Sequence, residues 1–126
     1  MNRPDFSKHL QDPDVLLHLQ DVLDVFAGLA TAIDPVANQD YVFPFCARYF
    51  EQFSKIMEVY HGMPEITLCV LVFWESLVEH LGIYRLPEPQ RQLVFHSCLN
   101  VLKIYAAANT GLFLIQYILS NLSLLL

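Results

Sequence analysis

The chain has 126 residues, of which 55% are hydrophobic and 16% charged, and its formal net charge is −6. That length makes one domain of ordinary size, and the apolar content excludes intrinsic disorder, which needs low hydrophobicity and high charge. Seven Lys and Arg against 13 Asp and Glu argue against a nucleic-acid binder, because affinity for phosphate rests on basic side chains.

Residues 1–13 are polar, hold Pro4 and Pro13, and lack the apolar run of a secretory signal, so they read as a flexible lead. The first periodic run covers residues 14–33. Val15, Leu16, Leu19, Val22, Leu23, Phe26, Leu29 and Ile33 recur at helical spacing, while Gln20, Asp21 and Asp24 lie off that face. Asp12 or Asp14 can cap its start, Pro13 suits an early helical position, and Asp34-Pro35 stops it. The second run covers residues 41–60, with Phe43, Cys46, Tyr49, Phe50, Phe53, Ile56, Met57 and Tyr60 at steps of three and four. It predicts one continuous helix with Pro44 in its first turn. His61-Gly62 ends that helix, and Gly62 suits the left-handed conformation of a C-terminal cap.

The third run opens on Pro64-Glu65, which places an acid at the positive end of a helix. It continues to Leu81 and closes at Gly82. From Ile66 to Trp74 it is apolar nearly all round, so more than one side should be covered. Its caps and length favour helix over strand. The fourth run covers residues 88–108, with Pro89 near the start. Leu93, Val94, Val101, Leu102 and Tyr105 mark one face; Gln92, His96, Asn100 and Lys103 mark the other. Asn109-Thr110-Gly111 breaks it, and an uncharged run occupies 112–126.

Helices joined by short loops form either a bundle or a piece of an α-solenoid. The segment around Val22, Phe26 and Leu29 realigns with Val70, Trp74 and Leu77 at an offset of about 48, and Met57-Glu58-Val59-Tyr60 realigns with Leu102-Lys103-Ile104-Tyr105 at about 45; HEAT and armadillo repeats have such periods. The expected fold is therefore all-α, with antiparallel helical hairpins of HEAT or armadillo type making about two repeats over residues 14–111. Packing should bury Phe26, Phe50, Phe53, Trp74, Leu77, Val101 and Tyr105.

Chemistry is not what this sequence offers. His9, His18, His61, His80 and His96 have no metal-ligand spacing, and His96 and Cys98 are two apart, on different sides of a helix. Glu75 and Glu79 read as a solvated helix face and not as an acid/base pair. There is no phosphate loop and no nucleophile elbow, and Ser54, Ser76 and Ser97 sit mid-helix with no base placed beside them. The expectation is no catalytic, cofactor-binding or metal-binding residue, and no enzyme. Trp74 and the Phe-rich second run read as core before they read as a ligand pocket. Cys46, Cys69 and Cys98, an odd count in apolar stretches, suit a reducing compartment. Exposed helix faces for protein partners remain, with an acidic excess that suits a basic partner.

Two stretches carry a family resemblance. One is Val59-Tyr60-His61-Gly62-Met63-Pro64-Glu65-Ile66 with the apolar run to Trp74. The other is Leu93-Val94-Phe95-His96-Ser97-Cys98-Leu99-Asn100-Val101-Leu102-Lys103-Ile104-Tyr105 with Asn109-Thr110-Gly111 after it. Together they resemble exportins of the importin-β superfamily, most closely the exportin-4 type and its exportin-7 relatives. The resemblance spans roughly residues 20–111 and implies HEAT repeats. It also implies a nuclear transport receptor that binds protein cargo together with the small GTPase Ran, moving between nucleus and cytoplasm through the nuclear pore. It assigns no partner-binding residue, because the matched positions are turns and packing sites. Such exportins are many times longer, and the pattern is lost after Gly111, so this chain reads as a fragment.

Other helical scaffolds, such as a nucleoporin or a HEAT adaptor, are the alternative, as is a small tail-anchored membrane protein. Residues 104–126 carry no formal charge. Asn109-Thr110-Gly111 interrupts that stretch, and the run beyond Gly111 is shorter than the ~20 residues that cross a bilayer. No basic cluster lies in it to orient it. A helix over 112–126 that packs on the solenoid or frays is the expectation.

Overall fold

A computed structural model describes residues 11–108 and 118–122. Residues 1–10 of the lead expected to be flexible, the expected break at Asn109-Thr110-Gly111, and the final run outside 118–122 lie beyond the described residues.

Helix α1 spans Pro13–Thr31. The Asp12 carboxylate caps it, accepting from the Asp14 backbone N–H at 2.9 Å. Pro13 occupies the first helical turn, where a missing N–H costs nothing. The reversal after α1 is closed by side chains. Asp34 Oδ1 accepts from the backbone N–H groups of Val36 and Ala37. Asn38 accepts from Asp34 N–H at 2.7 Å and donates to the Ala32 carbonyl. These Asx-type bonds replace helix bonds in the turn, and the two N–H groups hold the Asp34 carboxyl below its ordinary 3.8.

The single helix predicted over 41–60 is two helices. Helix α2 spans Gln39–Ala47 and helix α3 spans Phe50–Tyr60. Pro44 falls in the second turn of α2, not the first. There it has no N–H for the carbonyl four residues back and its ring crowds that carbonyl. The ladder ends one turn later. Tyr49 N–H takes the tighter bond to Cys46 O at 3.0 Å, and Phe53 N–H to Tyr49 O restarts the helix. Gly62 also differs from expectation: among the described residues only Gly82 has a positive φ, and α3 ends on His61 in right-handed geometry.

Helix α4 spans Pro64–His80, as its end signals predict. Gly82 closes it at φ +65, and the Pro35 ring lies so close that a Cβ there would sit 2.5 Å from Pro35 Cγ. A 3₁₀ turn over Ile83–Arg85 leads to helix α5, Glu88–Ala108.

The chain is all-α, and its helices pack as two stacked hairpins in two layers. Helix α1 lies chiefly on α4, and α3 on α5; α3 also packs on α4. Cross-helix bonds join residues at nearly constant separation. Gln39 reaches the Leu81 and Gly82 carbonyls 42 and 43 positions on. Cys69 meets Asp24 across 45, and Asn100 bonds Ser54 across 46. Phe26 with Phe73 and Pro35 with Gly82 repeat nearly the same spacing. Equivalent helices of successive hairpins therefore run side by side in the same direction, which is how repeat arrays stack.

The core is aromatic. Phe53 stacks on Phe73 at 4.2 Å, and Trp74 lies 4.7 Å from Phe50. Phe50, Phe53, Trp74, Leu77 and Val101 are buried as predicted. Phe26 and Tyr105 are only half-buried. Phe26 nevertheless touches Phe45, Tyr49, Phe53 and Phe73, joining four helices. The buried stripe of α1 is narrower than the predicted one: Val15 and Val22 are exposed, while Leu23 and Ala30 are buried, with Ile33 buried just past the helix end. Residues 118–122 are helical, and Ile118 and Leu122 join the core.

Candidate functional site

The two layers differ in charge. Helices α1 and α4 carry Asp14, Asp21, Asp24, Glu65, Glu75 and Glu79, and neither holds a Lys or Arg. The basic residues of the described chain sit on α3, on α5 or in the connectors before them: Arg48, Lys55, Arg85, Arg91 and Lys103.

A groove of about 570 Å³ runs between α3 and α5. Ala47, Arg48, Phe50, Glu51 and Ser54 line one wall; Leu93, His96, Ser97, Leu99, Asn100 and Lys103 line the other. Helical spacing explains the α3 wall, since Phe50, Glu51 and Ser54 fall on adjacent turns of one side. Asn100 Nδ2 donates to Ser54 Oγ at 3.0 Å, joining the two helices by a polar bond. Phe50 connects the groove to the core through its contact with Trp74.

The cations of this layer are not equivalent. Lys55 pairs with Glu51 at 3.7 Å. Arg91 spends its guanidinium on the Leu86 carbonyl at 2.7 Å. Arg85 contributes to the field that lowers the Asp34 carboxyl. Arg48 lies 5.8 Å over the Phe45 ring, and neither it nor Lys103 has a carboxylate partner among the described residues. Both side chains are exposed. The groove is thus cationic within an acidic protein.

The groups singled out in the sequence do not converge on a reactive centre. His80 Nδ1 faces the Ser76 carbonyl of its own helix at 2.9 Å. Glu75 and Glu79 remain on the outer side of α4, and Ser54 and Ser97 border the groove with no base against them. No cluster of His, Cys, Asp and Glu able to hold a metal occurs among the described residues, and His9 lies outside them. The cysteines are free. Burial pushes the Cys46 thiol up to about 11 and the Cys98 thiol up to about 12, so both stay protonated and unreactive. Cys69 is raised as well, by burial and by the neighbouring Asp24 carboxylate. Among the described residues no helix is long and apolar enough to cross a membrane.

Comparison with known protein families, with curated proteins and with solved structures finds no match to this chain. The stretches that carry the exportin resemblance fall on helix ends and packing positions. Pro64 opens α4, and Cys98, Val101 and Leu102 are buried on α5. Arg48 and Lys103 are the groove residues that sequence reasoning passed over. The period marks Lys103 on the polar face of its run, and Arg48 falls in the break between α2 and α3; nothing in one helix says which faces meet.

Proposed function

We propose that this chain is a helical-repeat segment that works by contact with a protein partner and not by chemistry. The supporting observation is the near-constant separation, 42 to 46 positions, of residues bonded between the two hairpins. An array of this kind holds helix faces in register and presents them as a continuous binding surface. The finer reading is a segment of an exportin-type nuclear transport receptor, engaging GTP-loaded Ran and protein cargo between nucleus and cytoplasm. It rests on the helix-end motifs around Pro64 and along α5.

The test is binding of the whole chain to Ran loaded with a non-hydrolysable GTP analogue, with GDP-loaded Ran as control. Saturable binding to the GTP form alone is the expected result. Equal binding to both forms, or to neither, removes the transport receptor reading. It would leave a scaffold with another partner, of nucleoporin or HEAT-adaptor kind.

A further inference from the structure

We propose that the groove between α3 and α5 is a docking site for an acidic amphipathic segment of a partner protein. The proposal rests on the protein-contact reading above but not on Ran.

The walls supply both halves of such a site. Leu93, 43% exposed, and the half-buried Leu99 offer apolar surface, with Phe50 buried as the floor beneath them. Arg48 and Lys103 supply charge. Ser54 and Asn100 set the two helices in register. Arg48 precedes Ser54 by more than a turn, and Lys103 comes after Asn100 by nearly one, so the cations lie toward opposite ends of the groove. At 1.5 Å per residue their backbones are on the order of 14 Å apart, about two to three turns of a docked helix. A ligand with an apolar residue between two separated carboxylates fits that layout.

Charge selects the same ligand. Arg48 and Lys103 lack carboxylate partners inside the described chain, whereas Glu51, the acid on the groove wall, is already paired with Lys55. The opposite layer, α1 and α4, presents carboxylates without a Lys or Arg. The net charge of −6 opposes an acidic segment over most of the surface, so the local pair of cations restricts it to this one face. The volume, about 570 Å³, suits a few side chains and not a whole domain.

The test uses the full chain and a fluorescein-labelled helical peptide with Leu on one face and Glu flanking it, read by fluorescence anisotropy. A second peptide carries Lys in place of each Glu. Saturable binding of the acidic peptide alone is expected. Arg48→Glu and Lys103→Glu should each weaken it about three- to tenfold, and the pair together more, with an apparent affinity that falls as salt rises. Both side chains are exposed, so thermal melts of the variants should match the parent; Lys103→Gln, which removes charge without reversing it, should fall between. No saturable binding, equal binding of the two peptides, or binding indifferent to both reversals overturns the proposal. So does displacement of the peptide by heparin with no effect of either reversal, which marks general attraction to polyanions. Failure with Ran alongside specific peptide binding sinks the transport reading and keeps the groove. The opposite pattern sinks the groove alone.

Discussion

The α1–α4 layer and the α3–α5 layer solve the same packing problem differently. Along α1–α4, Phe26 and Phe73 meet edge to face, and Gly82 lets the Pro35 ring close the far end. The Asp, Glu, Lys and Arg side chains of that layer all carry one sign. Along α3–α5 the joint includes a polar bond, Ser54 with Asn100, and a groove opens beside it. Its charges are of both signs, and two cations are left over. One layer is a tight wall and the other a wall with a slot. Repeated helices can share a period and still divide the work, one holding the stack together and the other meeting a ligand.

Trp74 belongs to the first layer but reaches into the second through Phe50 and Phe53. Trp74→Ala should cost about 3–5 kcal/mol in denaturant titration. A loss below about 1 kcal/mol would mean the layers do not depend on a shared core. Gly82→Ala tests the closed end of the first layer. The added Cβ meets Pro35 in a left-handed backbone conformation, so a loss of more than about 1 kcal/mol is expected. Gly62→Ala is the matched control, with nothing within 4 Å and no positive φ. It should be neutral or stabilising by up to about 1 kcal/mol.

The polar joint of the second layer should be weaker than either. Ser54→Ala and Asn100→Ala should each cost about 0.5–1.5 kcal/mol, and the double variant less than their sum. Full additivity would show that the bond does not tie the helices. The smallest effect belongs to Asp34 at the end of the first layer. Its folded carboxyl titrates below 3.8, so its contribution is full above that value and is lost as pH falls through the lowered one. Asp34→Asn should flatten that acid limb in melts recorded against pH.

Helix ends were the legible part of this fold. Asp12-Pro13, Pro64-Glu65 and Gly82 carry their meaning locally, in caps and backbone angles; α1 and α4 begin and end, and α5 begins, close to where the end signals place them. The break at Arg48-Tyr49 was not legible. The apolar period passes through it undisturbed, because α2 and α3 face the same core, and the effect of Pro44 depends on which turn it occupies. Phe26 and Tyr105 have helical spacing, but how far each is covered depends on what packs over them. The groove was illegible for a related reason. Arg48 lies just past α2 and Lys103 on α5, and only the stacking of hairpins brings them to one surface. The segregation of charge was present in the sequence all along, as the absence of Lys and Arg from two of the long runs. It acquires a direction only once those two runs are known to be neighbours.

The constant spacing of contacts between the two hairpins also bears on how the chain reaches this state. Closing a loop costs entropy that grows only slowly with its length. Contacts spanning 42 to 47 positions therefore begin from nearly the same handicap. Neither layer has a topological head start, and side-chain burial alone ranks them in time. The aromatic joint around Phe26 and Phe73 should form ahead of the Ser54–Asn100 joint, giving Phe73→Leu a larger share of its cost in the folding rate than Asn100→Ala. The slot that meets a ligand would then be the last part of the molecule to take shape and the first to loosen.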